Sequence, residues 1–206
     1  LIRQKAYGNV AAEAYIEWFW PFAEEIYRVL KPDGSFVLEI GGAWNSGSPT
    51  RSLYQYELVI RLCQMFHLAQ DFYWFNPSRL PTPAEWVTIK RTRVKDSVNP
   101  LWWLSKSEHP QADNRQVLQP YSKSMRRLLR DGYDVAMRPS QHEIGPHFRR
   151  DNGGAIPPNL MSVPNTKSNE LYLRRCREAG IAPHPARFPC EVPEFFVRFL
   201  TSAGQM

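Results

Sequence analysis

Several features that would define a protein class are scarce or missing in this 206-residue sequence. It has only three cysteines, Cys63, Cys176 and Cys190, and none are spaced as Cys-x-x-Cys. That pattern argues against a disulfide scaffold and favours reduced thiols in a cytoplasm. No apolar run reaches membrane-spanning length, and the first residues lack a signal-peptide pattern. We therefore expect a globular cytoplasmic protein without a membrane partner.

Metal ligands are also few. Of five histidines, His142 and His147 are close in sequence, but no second ligand pair follows them. Loop histidines explain this spacing more simply than a metal site does, so no metal is expected.

Proline, aromatic residues and positive charge are plentiful. The chain has 18 prolines, 27 aromatic residues (7 Trp, 9 Tyr and 11 Phe) and a net charge of +6. Disordered segments are poor in aromatic residues, so this composition indicates ordered loops. A modest positive excess is compatible with a polyanionic partner.

One stretch organises the rest of the chain. Lys31-Pro32-Asp33-Gly34 has the composition of a tight turn, and residues 36–40 then form a short apolar strand that ends in Gly41 and Gly42. Ligands of open α/β sheets bind beyond the carboxyl ends of strands, where glycine allows close approach. Glu39 interrupts the strand just before that end. It is either a structural acid or a functional carboxylate that faces the crevice.

Helical periodicity flanks this strand on both sides. The first helix begins near Ala12, with a kink or a break at Pro21. The second covers about residues 52–66, after a loop that places Arg51 at the ligand edge of the sheet. The predicted inward residues are Tyr15, Trp18, Phe19, Phe22, Ile26, Val29 and Leu30 in the first helix, and Leu53, Tyr56, Ile60 and Cys63 in the second.

A second strand runs from Leu68 to Phe75 and leads into a rigid Asn76-Pro77 loop. Aromatic residues occupy both of its faces, because Tyr73 and Trp74 fall on opposite parities. Two interpretations remain open for these rings. They either fill the core or form a stacking platform for a nucleic-acid base.

Three regions concentrate positive charge. Arg91, Arg93 and Lys95 alternate and would share one face of a strand, as in a phosphate-tracking ribbon or a solvated edge strand. Pro100, in the following strand, implies an edge or a bulge. A short helix at residues 121–130 and a later pair add further cations: Lys123, Arg126, Arg127, Arg130, Arg149 and Arg150.

The last third of the sequence is more regular. Ser168 is expected to cap a helix that ends at Gly180. A stiff His184-Pro185-Ala186-Arg187-Phe188-Pro189 loop follows, and Pro193 lies in the first turn of a final helix.

Taken together and in order, these segments resemble the bacterial cytosine-N4 DNA methyltransferases of restriction–modification systems, those of the PvuII type with permuted motif order. The resemblance covers nearly the whole chain. It rests on Tyr7-Gly8-Asn9, residues 18–42, Asp71 to Pro77, Arg93-Val94-Lys95-Asp96, residues 151–159 and His184 to Pro189.

The resemblance implies an α/β, Rossmann-like S-adenosylmethionine-dependent methyltransferase sheet with an inserted target-recognition region. Residues 1–106 would form part of the catalytic subdomain, 107–165 the recognition region, and 166–206 the start of the cofactor-binding part. The implied activity is methyl transfer from S-adenosylmethionine to N4 of a flipped cytosine in duplex DNA, by an enzyme that acts as a monomer. Adenine-N6 methylation and a non-catalytic DNA-binding remnant are the alternatives.

The resemblance also assigns roles to residues. Glu39 is the expected catalytic carboxylate. Gly41, Gly42, Tyr73, Trp74 and Asn76 are expected to line the base pocket, with Trp74 as the platform. The expected cofactor contacts are His184, Pro185, Ala186, Phe188 and Pro189. The expected DNA contacts are the nine arginines and lysines at positions 91, 93, 95, 123, 126, 127, 130, 149 and 150.

Two diagnostic motifs of such enzymes, the catalytic Ser-Pro-Pro-Tyr or Phe and the cofactor-cradling glycine motif, do not occur in these residues. The chain is therefore expected to be an incomplete sheet that is inactive alone, with the apolar face of its last helix uncovered.

Overall fold

A computed structural model describes residues 10–132, 150–166, 170–184 and 187–204. Five α-helices and four strands lie in these ranges, with short 3-10 turns at Ala12–Ala14 and Asn114–Val117 and a π turn at Glu85–Ile89. In chain order, the regular elements are α1 (Tyr15–Val29), β1 (Ser35–Glu39), α2 (Tyr54–Leu62), β2 (His67–Phe75), β3 (Val98–Ser105), α3 (Lys123–Asp131), β4 (Leu160–Ser162), α4 (Leu171–Glu178) and α5 (Glu191–Leu200).

The four strands form one mixed sheet in the order β1-β3-β2-β4. β3 is antiparallel to both of its neighbours, and β4 is parallel to β2. β1 and β2 therefore run in the same direction, and their carboxyl ends lie at one edge, beside the beginning of β3. Glu39, Phe75 and Val98 mark that edge.

The turn before β1 forms as its sequence predicts. The Gly34 amide donates to the Lys31 carbonyl over 2.9 Å, which closes the turn at Pro32 and Asp33. β1 itself is half-buried along its whole length, because among the described strands it pairs only with β3.

Pro100 lies inside a central strand, which corrects the prediction of an edge or bulge. The Tyr73 amide opposite it donates to the Asn159 carbonyl, so Tyr73 and Pro100 form a non-hydrogen-bonded pair. The proline nitrogen therefore faces the β1 side. β1 has already ended there, since its last partner in β3 is Leu101. A residue without an N–H group is tolerated at this point because β1 provides no carbonyl acceptor opposite it.

One face of the sheet is covered by α1 and α2. Their shared core is centred on Ala23, Leu58, Leu62, Trp102 and Leu104. α1 continues through Pro21 as a single helix. Its apolar stripe is wider than its buried face: Trp18, Phe22 and Val29, which were predicted to be inward, are exposed.

The predicted inward face of α2 is wrong. Leu53, Tyr56, Ile60 and Cys63 are exposed, and the buried stripe instead contains Gln55, Leu58, Val59 and Leu62. The buried stripe has the same three-and-four spacing, but Gln55, Val59 and Leu62 each lie one residue before the predicted Tyr56, Ile60 and Cys63. Because the first buried residue of α2, Gln55, is polar, the pattern of apolar residues did not indicate which face of the helix is buried.

The opposite face of the sheet is covered by α5. Val192 and Phe196 pack with Phe72, Leu101 and Trp103. The rings of Phe72 and Phe196 meet edge to face with centroids 5.1 Å apart, an arrangement that stabilises aromatic pairs. The inward residues of the last helix are thus covered by the sheet, contrary to the expectation that its apolar face is open.

Within the described ranges, no helix combines the length and the apolar character that crossing a bilayer demands.

Candidate active site and nucleic-acid interface

Glu39 ends β1 on the α5 face of the sheet. It pairs across the strands with Leu101, which belongs to the core beneath α5. Its carboxylate borders a cavity of about 200 Å³ with Val37, Leu101 and Phe188. Burial raises the pKa of Glu39, and the positive charge of Arg79 and a hydrogen bond from Asn99 oppose that rise. Burial is the larger effect, so this acid holds its proton to higher pH than an ordinary glutamate.

Asn99 and Arg79 form a polar support for this carboxylate. Arg79 Nη1 donates to Asn99 Oδ1 over 3.2 Å, which leaves the Asn99 amide nitrogen to donate to Glu39. Asn99 is buried at the beginning of β3, where β2 and β3 still pair. The phenols of Tyr15 and Tyr54 also lie near Glu39. Burial raises the pKa of both, and the negative charge of Glu39 raises each further.

A larger groove of about 660 Å³ adjoins this cavity through Phe188 and Pro193, which line both. The groove runs between the beginning of α4 and the segment that contains His184, Phe188 and Pro189. The His184 amide donates to the Tyr172 hydroxyl over 2.8 Å, which ties that segment to α4. The fold thus brings the predicted catalytic carboxylate and the predicted cofactor segment together. Pro185 and Ala186 lie outside the described residues.

Gly41 and Gly42 differ in what surrounds them. The Tyr54 hydroxyl donates to the Gly41 carbonyl, yet a Cβ on Gly41 would meet no atom within 4 Å. A Cβ on Gly42 would overlap the guanidinium of Arg51. Gly42 therefore accommodates a side chain of this protein, whereas Gly41 borders open space.

The predicted base-pocket residues of β2 divide between the two faces of the sheet. Trp74 is 5% exposed and packs in the core with Phe72, and its indole N–H donates to the Val163 carbonyl over 2.8 Å. This position corresponds to the core interpretation, and it corrects the expectation that Trp74 is a stacking platform, since a base could not reach its faces. Tyr73 is 38% exposed on the opposite face, where its hydroxyl donates to Asp71 over 2.6 Å.

Asn76, also predicted to line the base pocket, is buried just beyond the end of β2. Its Oδ1 accepts from the amides of Ser78 and Asn165 at 3.1 and 3.3 Å. Its Nδ2 has no hydrogen-bond partner among the described residues. Asn76 therefore connects the loop after β2 with the segment around Asn165, and its Nδ2 makes no hydrogen bond within the described part of the chain.

Arg91, Arg93 and Lys95 do not share a strand face, which corrects that prediction. They follow the π turn in an irregular segment, and Arg91 has a φ of 53°. Arg93 pairs with Asp96 at 3.1 Å, and Lys95 Nζ donates to the carbonyls of Pro77 and Arg79. A period of two in charge therefore did not distinguish a strand from a loop.

The basic helix at residues 121–130 exists as α3. Ser122 caps it by accepting from the Met125 amide. Lys123, Arg126, Arg127 and Arg130 are all exposed, and Asp131 forms ion pairs with Arg127 and Arg130. Arg150 is exposed as well, and Arg149 lies outside the described residues.

The predicted recognition region is anchored to α5 near its beginning and to the sheet near its end. Near its beginning, the Asp113 amide donates to the Phe199 carbonyl of α5. Near its end, Leu160–Ser162 forms β4 beside β2, and the side-chain Nδ2 of Asn159 donates to the Asp71 carbonyl over 3.0 Å. The strand β4 therefore belongs to the sheet.

No cluster of three or more metal-ligating side chains occurs in the part of the chain that the structure describes. His142 and His147 lie outside those residues, and so does Ser168. The α4 helix begins at Leu171, after Glu170, and ends before Gly180, whose φ is 64°.

Comparison with known proteins agrees with this architecture. The family N6_N4_Mtase, described as DNA methylase, matches residues 2–206. The Type II methyltransferase M.PvuII of Proteus hauseri is 51% identical over 211 residues, which cover 100% of this chain and 63% of that protein. The solved PvuII DNA methyltransferase (cytosine-N4-specific) has a TM-score of 0.70 and 43% identity, covering 97% of this chain and 59% of that chain.

The fold is therefore an incomplete Rossmann-like methyltransferase sheet. The chain belongs to the N6_N4_Mtase family of DNA methylases. It spans about three fifths of the length of the relatives it matches.

Sequence reasoning missed the residues that support Glu39. Asn99 is a polar residue of the same parity as Leu101 and Trp103 in an otherwise apolar strand, and that parity was the available signal. Arg79 gave no signal, because its approach depends on the path of the loop after Asn76.

Proposed function

We propose that this chain is part of an enzyme that transfers a methyl group from S-adenosylmethionine to N4 of a cytosine in duplex DNA, within a restriction–modification system. One observation carries the proposal: Glu39, whose pKa is raised, lines a cavity with Phe188, and Phe188 also lines the groove beside the cofactor segment. The similarity to a cytosine-N4-specific methyltransferase supports it.

The chemistry explains why a carboxylate belongs here. The exocyclic amine of cytosine is a poor nucleophile, because its lone pair is delocalised into the ring. As the N–CH₃ bond formed and the S–CH₃ bond of the sulfonium broke, a neutral thioether would leave and positive charge would pass to the nitrogen. Glu39 would hold the amine by accepting its hydrogen bond and would then take the released proton. A raised pKa brings the proton affinity of this acid nearer to the operating pH, which favours that role.

Asn99 and Arg79 would limit how far the pKa of Glu39 rises. Without their hydrogen bond and charge, burial would raise the pKa of Glu39 further and disfavour the ionised form, which is the form that accepts a proton.

The groove beside Phe188 has donors and surfaces that suit S-adenosylmethionine, which supplies a sulfonium methyl group when bound. The methionine half carries an ammonium and a carboxylate. Glu170 offers a carboxylate for the first, and Arg175 and Arg187 offer guanidinium groups for the second, while Tyr172 and Phe188 add ring surface. We propose that His184, Phe188 and Pro189 border this half of the cofactor.

Access to the cytosine requires that it leave the helix, because its amine is otherwise paired within the duplex. We place the extruded base beyond the carboxyl end of β1, where Gly41 borders open space. Tyr73 lies on the other face of the sheet and is not part of this arrangement.

We propose that α3 contacts the DNA backbone. Lys123 and Arg126 are exposed cations without an ion-pair partner among the described residues, and they follow one another along the helix at a spacing of three. Replacing each with glutamine should weaken binding to all DNA sequences and lower the magnitude of the salt slope by about one per residue. Lys31→Gln, in the exposed turn before β1, serves as the control.

The methylated nucleoside tests the proposal. The protein encoded by the complete reading frame is incubated with labelled S-adenosylmethionine and mixed-sequence duplex DNA, and the DNA is digested to nucleosides. Label in N4-methylcytosine is expected. Label in N6-methyladenine would overturn the substrate assignment and support adenine methylation. DNA binding without label would support a non-catalytic remnant. We expect the enzyme to act as a monomer in the bacterial cytoplasm, and sedimentation of its DNA complex tests the oligomeric state.

A further inference from the structure

A second cavity lies on the face of the sheet opposite Glu39, at the same edge. It has a volume of about 340 Å³ and separates the first turn of α2 from the ends of β2 and β3. We call it the Arg51 pocket. The side chains of Arg51, Gln55, Tyr56, Tyr73, Lys95 and Ser97 line it. No role in the methyl-transfer chemistry falls to these residues.

Positive charge predominates at the Arg51 pocket. Asp96 accepts from Arg51 Nη1 at 3.0 Å and from Arg93 Nη2 at 3.1 Å, so one carboxylate serves two guanidinium groups. Lys95 adds a third cation at the rim. The excess positive charge would therefore attract an anionic ligand.

The walls of the pocket also contain polar atoms without partners. Gln55 is 1% exposed and Ser97 is 9% exposed, yet Gln55 Oε1 and Ser97 Oγ have no hydrogen-bond partner among the described residues, and neither has Arg51 Nε. Buried polar groups are normally satisfied, because leaving them unpaired is costly. Two of these three atoms, Arg51 Nε and Ser97 Oγ, can donate to a ligand oxygen in this positively charged cavity, whereas Gln55 Oε1 can only accept.

Two features fit a nucleotide unit of a polymer better than a lone ion. The rings of Tyr56 and Tyr73 are exposed at the pocket and can contact a sugar or a base. The first turn of α2 also lies at this edge. The Tyr54 amide donates to Ser52 Oγ, and the Tyr56 and Glu57 amides donate to the Leu53 carbonyl, so the Gln55 amide is the first-turn donor that an anion can approach.

We propose that the Arg51 pocket binds a phosphate group of the DNA backbone and so fixes the position of the duplex relative to Glu39. This inference rests on the proposed function, because it takes DNA as the ligand. Arg51 contacts the phosphate, Lys95 adds long-range attraction, and Ser97 donates its hydroxyl hydrogen. Asp96 pairs with Arg51 but opposes the anion through its charge.

Two substitutions with opposite expected effects test the proposal. DNA affinity is measured from 50 to 200 mM salt for the full protein and its variants. Arg51→Gln should weaken binding and lower the magnitude of the salt slope by about 0.9, the value for one phosphate contact. Asp96→Asn removes the opposing charge and should strengthen binding. Arg28→Gln, which removes an exposed arginine paired with Glu25, is the matched control and should change neither quantity.

A neutral methylphosphonate placed at successive backbone positions gives an independent measurement. One position should weaken wild-type binding and leave Arg51→Gln binding unchanged. An unchanged salt slope in folded Arg51→Gln, or no gain in Asp96→Asn, would overturn the proposal. If Arg51→Gln does not fold, Asp96→Asn and the methylphosphonate scan decide the question.

These outcomes are separate from those of the proposed function. Methylation of cytosine with unchanged salt slopes would overturn the phosphate site alone. Changed slopes without methylated cytosine would overturn the activity and leave the site. Competition with inorganic phosphate distinguishes the ligand source: equal displacement by free phosphate at matched ionic strength would mean that the pocket takes the free ion rather than the DNA backbone.

Discussion

Arg79 Nη1 donates a hydrogen bond to Asn99 Oδ1 over 3.2 Å, and this contact determines which way the Asn99 amide faces. With its oxygen engaged by Arg79, Asn99 presents its amide nitrogen to the carboxylate of Glu39. A residue from β3 and a residue from a loop thereby lower the pKa of Glu39, against the larger effect of burial.

Replacing Asn99 should therefore change both stability and titration. Asn99→Leu removes the hydrogen bond to Glu39 and leaves Arg79 without its acceptor. We expect a loss of about 1–3 kcal/mol in the free energy of unfolding, the usual cost of an unsatisfied buried polar group. The pKa of Glu39 should also rise further. Chemical denaturation measures the first effect, and carbon-detected NMR titration of the glutamate carboxyl measures the second.

Asn114→Leu is the control for that substitution, since Asn114 is exposed in the short turn at Asn114–Val117. It should leave the free energy of unfolding within about 0.5 kcal/mol of the wild-type value. A pKa of Glu39 that is equal in wild type and Asn99→Leu would refute the support that we assign to Asn99.

Glu39 also makes stability depend on pH with a defined sign. Because its pKa in the folded state is raised above the ordinary value of 4.5, the folded protein binds more protons than the unfolded chain in the interval above that value. The contribution of Glu39 to stability therefore falls as pH rises from the ordinary value through the folded-state value, and then becomes constant. The Tm of Glu39→Gln minus that of the wild type should increase over this interval.

Glu108→Gln provides the comparison, because Glu108 is an exposed glutamate in the loop after β3. Its Tm should follow the wild type at every pH. A Tm difference for Glu39→Gln that is flat from pH 4 to pH 8 would show that burial does not perturb this carboxyl.

Substitution of the two adjacent glycines by alanine should change the stability of the protein by different amounts. A Cβ on Gly42 would displace the Arg51 guanidinium and disturb its ion pair with Asp96. Because the displaced group is the flexible end of Arg51, we expect Gly42→Ala to cost about 1 kcal/mol, mainly through the disturbed ion pair. Gly41→Ala meets no atoms and should leave stability nearly unchanged. Thermal and chemical unfolding of the pair measure the difference, and equal effects at both positions would contradict the assigned surroundings.

The packing of α5 on the sheet predicts a similar contrast. Phe196 is 7% exposed against Phe72, whereas Val197, its neighbour, is 60% exposed. Phe196→Ala should lower the free energy of unfolding by about 3–5 kcal/mol. Val197→Ala should change it by less than about 0.5 kcal/mol. If both variants unfold at the same denaturant concentration, α5 does not cover the sheet as described.

The sequence predicted those elements whose signals are local. The turn at Lys31 to Gly34 and the strands β2 and β3 depend on proline, glycine and alternating apolar residues, which act within a few positions. The basic helix α3 and the last helix α5 were predicted for the same reason. The expected cofactor segment beside Glu39 followed from a family resemblance rather than from spacing.

The misses share a tertiary cause. Gln55 leads the buried stripe of α2 because it faces the Arg51 pocket, which no local pattern reveals. Pro100 lacks an N–H group, and it is tolerated in β3 because β1 ends at the partner of Leu101 and so has no carbonyl opposite Pro100. Arg91, Arg93 and Lys95 alternate in sequence, but ion pairs and backbone carbonyls hold the latter two in a loop.

Methyl transfer by Glu39→Gln tests the central claim most directly. Initial rates into duplex DNA are measured for the full protein, Glu39→Gln and the Glu108→Gln control, together with DNA affinity. General acid–base groups contribute about 10²–10⁴-fold. We predict a loss of about that size for Glu39→Gln, with DNA affinity preserved and Glu108→Gln unchanged. The wild-type rate should fall as pH decreases through the raised pKa of Glu39. A Glu39→Gln enzyme that transfers methyl groups at the wild-type rate would contradict the account.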